Sequence, residues 1–200
     1  IQVLAMLSIY LGRQRGMSET EGKRLVSELQ ALPEKIESIL ERREEIEVIA
    51  QKYYNATSML FVGRKFNFAS AYEGALKLKE ISYIHAEGYG AGEMKHGPIA
   101  LIDEAFPTFA FAPQDSVYEK VVSNLEEIKA RKGPIIAVGT TGDTKLAELA
   151  DDVFYIPETE EAFTPFLNAV PVQLLAYYVG LAKGYNVDRP RNLAKSVTVE

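Results

Sequence analysis

Three charged residues at helical spacing are the first candidates for chemistry in this sequence: Glu73, Lys77 and Glu80. Intervals of four and three residues place them on one face of a helix predicted over 67–85, with Ile84 continuing the same row. If that face lines a cleft, one glutamate could move a proton between adjacent carbons while the lysine and the other acid tune its pKa. The same spacing is more often that of an exposed ion pair, which contributes little to stability. Spacing alone favours this simpler interpretation.

The sequence has 2 histidines, and both follow this row of charges. His85 stands at the predicted end of the helix, where a cation or a cap suits the C-terminus. His96 lies between glycines in a loop predicted over 86–98, where an accessible imidazole can accept and donate a proton at neutral pH. The residues leave a catalytic and a structural role for His96 equally open. No third histidine and no cysteine occurs, so a zinc site is not expected.

A further candidate is Lys195, in the polar tail that ends the sequence. A lysine near a terminus is normally a solvated charge. A tail that closed over a cleft would desolvate it, which lowers the pKa of the amine and makes it a nucleophile towards a carbonyl carbon.

Two turns between a predicted strand and a predicted helix give weaker signals. The turn over 63–67 could hold an anion at a helix N-terminus, although a tight turn with solvated basic residues is the more common case. The turn over 139–144 offers Thr144 or Asp143 as an N-cap. Neither turn matches the G-x-G-x-x-G or the Walker lysine motif, so the sequence gives little support for nucleotide binding.

The elements that must position these residues alternate between strands and helices. Short apolar runs predict buried parallel strands at 58–63, 108–112, 135–138 and 153–155. Helices are predicted between and after them at 67–85, 116–130, 145–150 and 162–183. This alternation predicts an α/β fold with a doubly wound parallel sheet flanked by helices. Ligands of such sheets lie beyond the carboxyl ends of the strands, at the loops 63–67, 86–98, 112–116 and 139–144.

The first quarter of the sequence is predicted to be helical throughout. Helices are expected over 1–15, 19–31 and 34–54, with Pro33 separating the last two. Because the chain opens on Ile1 inside an amphipathic pattern, we expect it to be a fragment of a longer protein. The predicted organisation is a helical segment 1–57, an α/β domain 58–184 and a tail 185–200.

Composition excludes several classes of protein. The 200 residues are 47% hydrophobic and 25% charged, which is typical of a globular protein. A formal net charge of −6 argues against nucleic-acid binding through a general basic field. The absence of cysteine excludes disulfides and a cysteine nucleophile, and is consistent with the cytoplasm. The apolar stretch 1–11 is too short to cross a bilayer and lacks the features of a signal peptide.

Three long motifs in order carry a resemblance to a known family: EGALKLKEISYIHAE at 73–87, GEMKHGP at 92–98 and DRPRNLAKSVTVE at 188–200. Over essentially its whole length the chain resembles the C-terminal part of the glutamine–fructose-6-phosphate aminotransferase family. That family converts fructose 6-phosphate and glutamine into glucosamine 6-phosphate and glutamate without a metal or an organic cofactor. The resemblance implies that 58–184 is the second of two sugar-isomerase (SIS) domains and that 1–15 is the last helix of the first.

The same resemblance implies a role for individual residues. Lys195 would form a Schiff base with the C2 carbonyl, and Glu80 would move the proton between C1 and C2. His96 would assist ring opening, in the family from the neighbouring subunit of a homodimer. Supporting roles fall to Lys77 as a further catalytic residue and to Glu73 and Ala194 as substrate contacts.

The resemblance also implies parts that this sequence does not contain. These are the glutaminase domain that releases ammonia and the loop of the first SIS domain that holds the sugar phosphate. Without the phosphate contact much of the binding energy that positions the sugar is missing, so we expect weak or no turnover by this chain alone.

Three alternative functions remain: a non-catalytic SIS module that binds phosphosugars, a dimerisation domain, and another SIS enzyme such as a fructosamine-phosphate deglycase. The Asn-Leu-Ala-Lys tail argues against the first of these, because a binding module needs no nucleophilic lysine.

Overall fold

The computed structural model describes residues 1–193, so Ala194 and Lys195 lie outside the described residues. The α-helices are α1 (Gln2–Gln14), α2 (Glu19–Glu41), α3 (Arg43–Tyr53), α4 (Phe66–Ser82), α5 (Tyr118–Lys129), α6 (Thr144–Leu149) and α7 (Thr164–Ala182). The strands are β1 (Ser58–Gly63), β2 (His85–Gly90), β3 (Thr108–Ala112), β4 (Ile135–Thr140) and β5 (Asp152–Ile156). Short 3₁₀ helices are found at Ala91–His96, Pro98–Leu101 and Glu161–Phe163.

The five strands form one parallel sheet in the order β2-β1-β3-β4-β5. The chain moves outward from β1 to β2 and then returns to β3 on the other side of β1, so the strand order reverses between β1 and β3. This is the doubly wound α/β sheet that the alternation of strands and helices predicted. All four predicted strands are confirmed, and Asp143 is the N-cap of α6, its Oδ1 accepting the Leu146 N–H at 3.0 Å.

Each face of the sheet has its own hydrophobic core, because side chains alternate along a strand. On one face Phe61 and Phe109 stack with their ring centroids 5.3 Å apart and pack with α4 and α7. On the other face Leu60 packs with α5 and with Met94 of the 3₁₀ helix Ala91–His96. Helix α4 and that 3₁₀ helix therefore lie on opposite faces of the sheet.

The prediction of a helix through His85 is wrong, and so is the prediction of a loop over 86–98. Helix α4 ends at Ser82 because Tyr83 adopts a left-handed conformation with φ 58°. His85 is the first residue of β2, not a helix cap, and the 3₁₀ helices follow β2. The sequence of β2, HAEGYG, lacks the β-branched residues that mark a strand, so its pairing with β1 decides its structure.

Pro33 does not separate two helices as predicted, because α2 continues through it to Glu41. A proline inside a helix removes one backbone hydrogen bond, but Leu29, Leu32 and Ile39 are buried in the same core and hold both halves in line. The break comes at Arg42, whose Nη1 donates to the carbonyl oxygen of Tyr155 at 2.9 Å. This contact covers part of the edge strand β5.

Helix α7 is the one helix of residues 1–193 that is long and apolar enough to cross a membrane by length and composition. Its buried residues belong to the core shared with α3 and α4. At Gly74 of α4, a Cβ atom would lie 2.7 Å from the Phe61 ring and 3.1 Å from Val172 of α7. The composition of α7 is therefore explained by its central place in the fold.

Candidate functional site

Helix α4 brings together two of the three charged residues that spacing had selected. Lys77 Nζ donates to Glu80 Oε2 at 2.6 Å, and the two side chains are 27% and 29% exposed. The pair is thus more enclosed than a solvated surface ion pair, although solvent still reaches it. Its lysine holds one carboxylate oxygen in place, and the other oxygen can accept a proton from a ligand.

Glu73 lies in a different environment from this pair. It lines a cleft of about 730 Å³ between α4 and β2, together with Tyr72, Glu87 and Tyr89. The Glu87 carboxylate raises the pKa of the Tyr89 hydroxyl. Among residues 1–193, Lys77 forms its ion pair with Glu80 and none with Glu73. The three residues therefore share a helix face but do not form one cluster.

The cleft beside Glu80 is also lined by the end of the described chain. This cleft has a volume of about 450 Å³, and its walls are formed by the last turn of α4, by His85 and by Arg191, Asn192 and Leu193. Leu193 immediately precedes the predicted Ala194 contact and stands two positions before Lys195. The described tail thus leads into the cleft that contains the candidate acid/base group. The role of residues 191–193 was not predicted, because no spacing rule relates a tail to a helix.

This cleft does not lie at the carboxyl ends of the strands, where parallel folds usually bind ligands. Helix α4 begins after the carboxyl end of β1 and runs back along the sheet, so its last turn lies near the amino ends of the strands. Glu80 accordingly shares its cleft with His85, the first residue of β2. Glu80 therefore lies away from the carboxyl ends of the strands, where ligand contacts were predicted.

His96 lies on the opposite face of the sheet from α4, because the 3₁₀ helix that carries it packs in the other core. It is the last residue of that 3₁₀ helix, its side chain is 77% exposed, and its Nε2 lies 3.8 Å from Glu93 Oε2. With the sheet between them, the His96 and Glu80 of one chain do not share a site.

The 3₁₀ helix that carries His96 is held by contacts that sequence reasoning had missed. Arg64 Nη2 and Nε donate to Asn124 Oδ1 at 2.8 and 3.1 Å, and Lys95 pairs with Glu127 at 2.8 Å. A Cβ atom at Gly92 would lie 3.0 Å from the Arg64 guanidinium, so a glycine allows the close approach. These contacts fix the backbone that presents His96 to solvent.

The predicted anion site over 63–67 is filled by the chain itself. The Lys65 ammonium donates to Ser116 Oγ at 2.7 Å and forms an ion pair with Glu161. Burial raises the pKa of the neighbouring Asp115, and the Glu161 charge raises it further. An incoming anion would have to displace a carboxylate. Within residues 1–193 no group of three His, Asp or Glu side chains is placed to hold a metal ion.

A pH-dependent stability is expected from this ion pair. The hydrogen bond from Lys65 lowers the pKa of the Glu161 carboxyl in the folded protein. The pair therefore stabilises the fold fully at a pH above the pKa that Glu161 has in the unfolded chain. This stabilisation is lost as the pH falls through the lower pKa that Glu161 has in the folded protein. Glu161→Gln is expected to reduce the free energy of unfolding at pH 7 by no more than about 1 kcal/mol, because both side chains are partly solvated. The difference from wild type should disappear in acid.

Urea unfolding of both proteins, from pH 7 downward in steps, measures this difference. Glu104→Gln is the matched control, since the exposed Lys132–Glu104 pair at 3.0 Å offers the same charge change with greater solvation. A difference between wild type and Glu161→Gln that stayed constant with pH would exclude the ionised carboxylate as its cause.

The doubly wound sheet and its flanking helices define an α/β domain, and comparison with known proteins identifies its family. A family model described as "SIS domain" matches residues 52–183. This match covers more than half of the chain, which therefore belongs to the SIS domain family.

Curated relatives narrow the similarity further. The chain is 50% identical, over 100% of its own length and 33% of the relative, to a glutamine–fructose-6-phosphate aminotransferase (isomerizing) of Thermus thermophilus. A protein of the same name from Aquifex aeolicus is 54% identical over 90% of this chain and 30% of the relative. The chain thus spans about a third of the length of the curated relatives it matches.

Solved structures agree with these relatives. The C-terminal domain of glucosamine-fructose-6-phosphate aminotransferase from Francisella tularensis has a TM-score of 0.86 and 34% identity, with 93% of this chain and 53% of that chain covered. A tagatose-6-phosphate ketose/aldose isomerase from Escherichia coli has a TM-score of 0.69 at 18% identity, over 78% of this chain and 44% of that one. The second similarity is one of fold alone.

Proposed function

We propose that this chain is the isomerase part of a glutamine–fructose-6-phosphate aminotransferase, which makes glucosamine 6-phosphate from fructose 6-phosphate and ammonia released from glutamine. The observation that carries the proposal is Glu80, which is hydrogen-bonded by Lys77 and lines a cleft whose wall includes the tail that leads to Lys195. Identity of about half over the whole chain to proteins of that name supports the same reaction.

In this mechanism Lys195 attacks the C2 carbonyl of the open-chain sugar. The carbonyl oxygen leaves as water and a Schiff base forms between C2 and the lysine nitrogen. Ammonia then adds to C2 and displaces the lysine amine, which leaves a C2 imine and restores the free lysine. The neutral amine needed for the first step is favoured if the closed tail desolvates Lys195.

Glu80 performs the proton transfer that follows. Its carboxylate removes a proton from C1 and returns it to C2. The imine nitrogen gains the proton that the C1 hydroxyl loses, so that C2 carries the amine and C1 becomes the aldehyde of glucosamine 6-phosphate. The hydrogen bond from Lys77 orients the carboxylate, which favours transfer between two adjacent carbons by one group. Glu73 and Ala194 are proposed to contact the substrate.

The site is proposed to be completed by a second copy of the chain. His96 is exposed and lies on the opposite face of the sheet from α4, which leaves its imidazole accessible to a neighbouring subunit. There it would accept and donate the protons that open the sugar ring. A homodimer in which each His96 serves the partner's site is consistent with this separation.

The whole protein is proposed to contain two further parts: a glutaminase domain that supplies ammonia and a first SIS domain that holds the sugar phosphate. No metal, organic cofactor, nucleic acid or membrane takes part in the proposed reaction, and a cytoplasmic location suits a chain without cysteine. We expect weak or no turnover by residues 1–200 alone, because the phosphate contact that positions the sugar is missing.

Borohydride trapping with fructose 6-phosphate tests the proposal. Reduction of the Schiff base should leave a stable adduct on the peptide that contains Lys195, in the full-length protein and more weakly in this chain. The adduct should be absent in Lys195→Ala and retained in Lys120→Ala, a control at an exposed lysine far from the cleft. An adduct on Lys79, which lines the same cleft, would identify a different nucleophile. Sugar binding without any adduct would favour the non-catalytic SIS module.

A further inference from the structure

Tyr83 makes two contacts with a single residue of the tail. Its Oη accepts a hydrogen bond from the Arg191 backbone N–H at 2.9 Å, and the Arg191 guanidinium lies 4.0 Å from the centre of its ring. The same ring packs against Tyr185, with the ring centroids 4.8 Å apart. Tyr83 therefore binds the tail both where it leaves α7 and just before Lys195.

The backbone of Tyr83 indicates that this side chain is needed at its position. Tyr83 ends α4 in the left-handed conformation, φ 58°, and its N–H donates to the carbonyl oxygen of Lys79 at 3.2 Å. Glycine is the usual residue at such a helix end, because a side chain disfavours this conformation. The contacts of its ring and hydroxyl with Arg191 and Tyr185 can offset the cost of this conformation.

The Tyr83–Arg191 contact lies closer to Lys195 along the chain than an earlier contact of the tail does. In that earlier contact, Val187 packs so closely on α7 that a Cβ atom at Gly180 would lie 2.9 Å from it. From Val187 to Lys195 is 8 residues (195 − 187), and from Arg191 it is 4 (195 − 191). Measured along the chain, the Tyr83–Arg191 contact is thus half as far from the lysine as the contact of Val187.

We propose that Tyr83 is a positioning residue for Lys195, a role that rests on the proposed function. By holding Arg191 at the end of α4, Tyr83 keeps the tail beside Glu80, one turn away on the same helix. The probability that a chain end reaches a given point falls roughly as the −3/2 power of the connecting length, so doubling that length lowers the local concentration of the lysine about threefold. Loss of the contact should slow Schiff-base formation by at least that factor.

The contact itself is tested by amide hydrogen exchange on this chain. Tyr83→Phe removes the acceptor and keeps the ring, so exchange of the Arg191 amide should accelerate; Arg191→Ala should instead weaken the ring contact. Trypsin cleavage after Arg191 should be faster in Tyr83→Phe than in wild type. Tyr10→Phe, at an exposed tyrosine on α1, is the matched control and should change neither measurement. Unchanged exchange and cleavage in Tyr83→Phe would overturn the proposal.

The positioning role is tested in the full-length protein by the rate of borohydride trapping at Lys195. Tyr83→Leu and Arg191→Ala should each lower that rate about threefold or more at saturating fructose 6-phosphate, with unchanged sugar affinity and thermal midpoint. Tyr83→Phe, which retains the ring, should lie between them and wild type. A wild-type rate in all three variants would overturn the positioning role alone. The absence of a Lys195 adduct in the wild-type protein would instead overturn the proposed function and this role with it.

Discussion

Glu80→Gln is expected to lower the rate of glucosamine 6-phosphate formation by the full-length protein about 10²–10⁴-fold, the usual range for a general acid–base group. The amide cannot accept the C1 proton, yet it is almost the same size as the carboxylate and fills the same space beside Lys77. Formation of the Lys195 adduct should therefore continue. Transfer of deuterium from C1-labelled fructose 6-phosphate to C2 or to water measures the affected step directly and should fall with the overall rate.

A matched substitution distinguishes this chemical effect from the loss of a charge on a helix. Glu19 pairs with Lys23 at 2.7 Å on the exposed surface of α2, so Glu19→Gln breaks a helical glutamate–lysine pair away from the cleft. It should leave turnover unchanged. Retention of full turnover in Glu80→Gln would remove Glu80 from the mechanism. Loss of the Lys195 adduct together with turnover would place Glu80 at an earlier step.

Gly63→Ala is expected to destabilise the fold by about 3 kcal/mol, the upper part of the range for forcing an extra carbon into packed structure. A Cβ atom at Gly63 would lie well within 3.0 Å of the carbonyl group of Asn67, in the first turn of α4. These are backbone atoms, so no side-chain rotation can relieve the overlap, and α4 must shift away from β1. For a chain of this size the thermal midpoint should fall by about 6–12 °C.

Gly90→Ala provides the control for this prediction. Gly90 is paired with Gly63 in the sheet and also ends its strand, but a Cβ atom there would meet only side-chain atoms, the nearest at 3.5 Å. Its substitution should change the thermal midpoint little. Equal midpoints for the two variants, measured by circular dichroism, would show that the start of α4 tolerates the displacement. Because Glu80 lies on the same helix, Gly63→Ala should also reduce activity.

Local patterns were sufficient for four of the five strands and for most of the helices. The four apolar strands are visible because buried parallel strands require continuous apolar runs, and the helices between them follow from strand spacing. Strand β2 was not predicted from its sequence, because a strand at the edge of the sheet that packs under α4 does not require an apolar sequence. At Gly88, a Cβ atom would lie 2.8 Å from the backbone of Tyr72, a constraint that belongs to packing alone.

At Pro33, too, the local sequence did not predict the structure, in this case that of a helix. Proline has a strong local preference against helix interiors, and the sequence therefore predicted a break. The apolar residues on either side of Pro33 bury one continuous face in the core, and the helix remains unbroken. Tertiary packing outweighed the lost hydrogen bond.

The sequence by itself determined the fold class and the chemical types of the candidate site residues, because both follow from spacing and from long motifs. Tertiary structure alone decided that Glu80 lies near the amino ends of the strands, that His96 lies on the opposite face of the sheet, and that Tyr83 holds the tail at Arg191. The physical reason is that spacing describes neighbours along one element, whereas these relations depend on which face an element packs against and in which direction it runs.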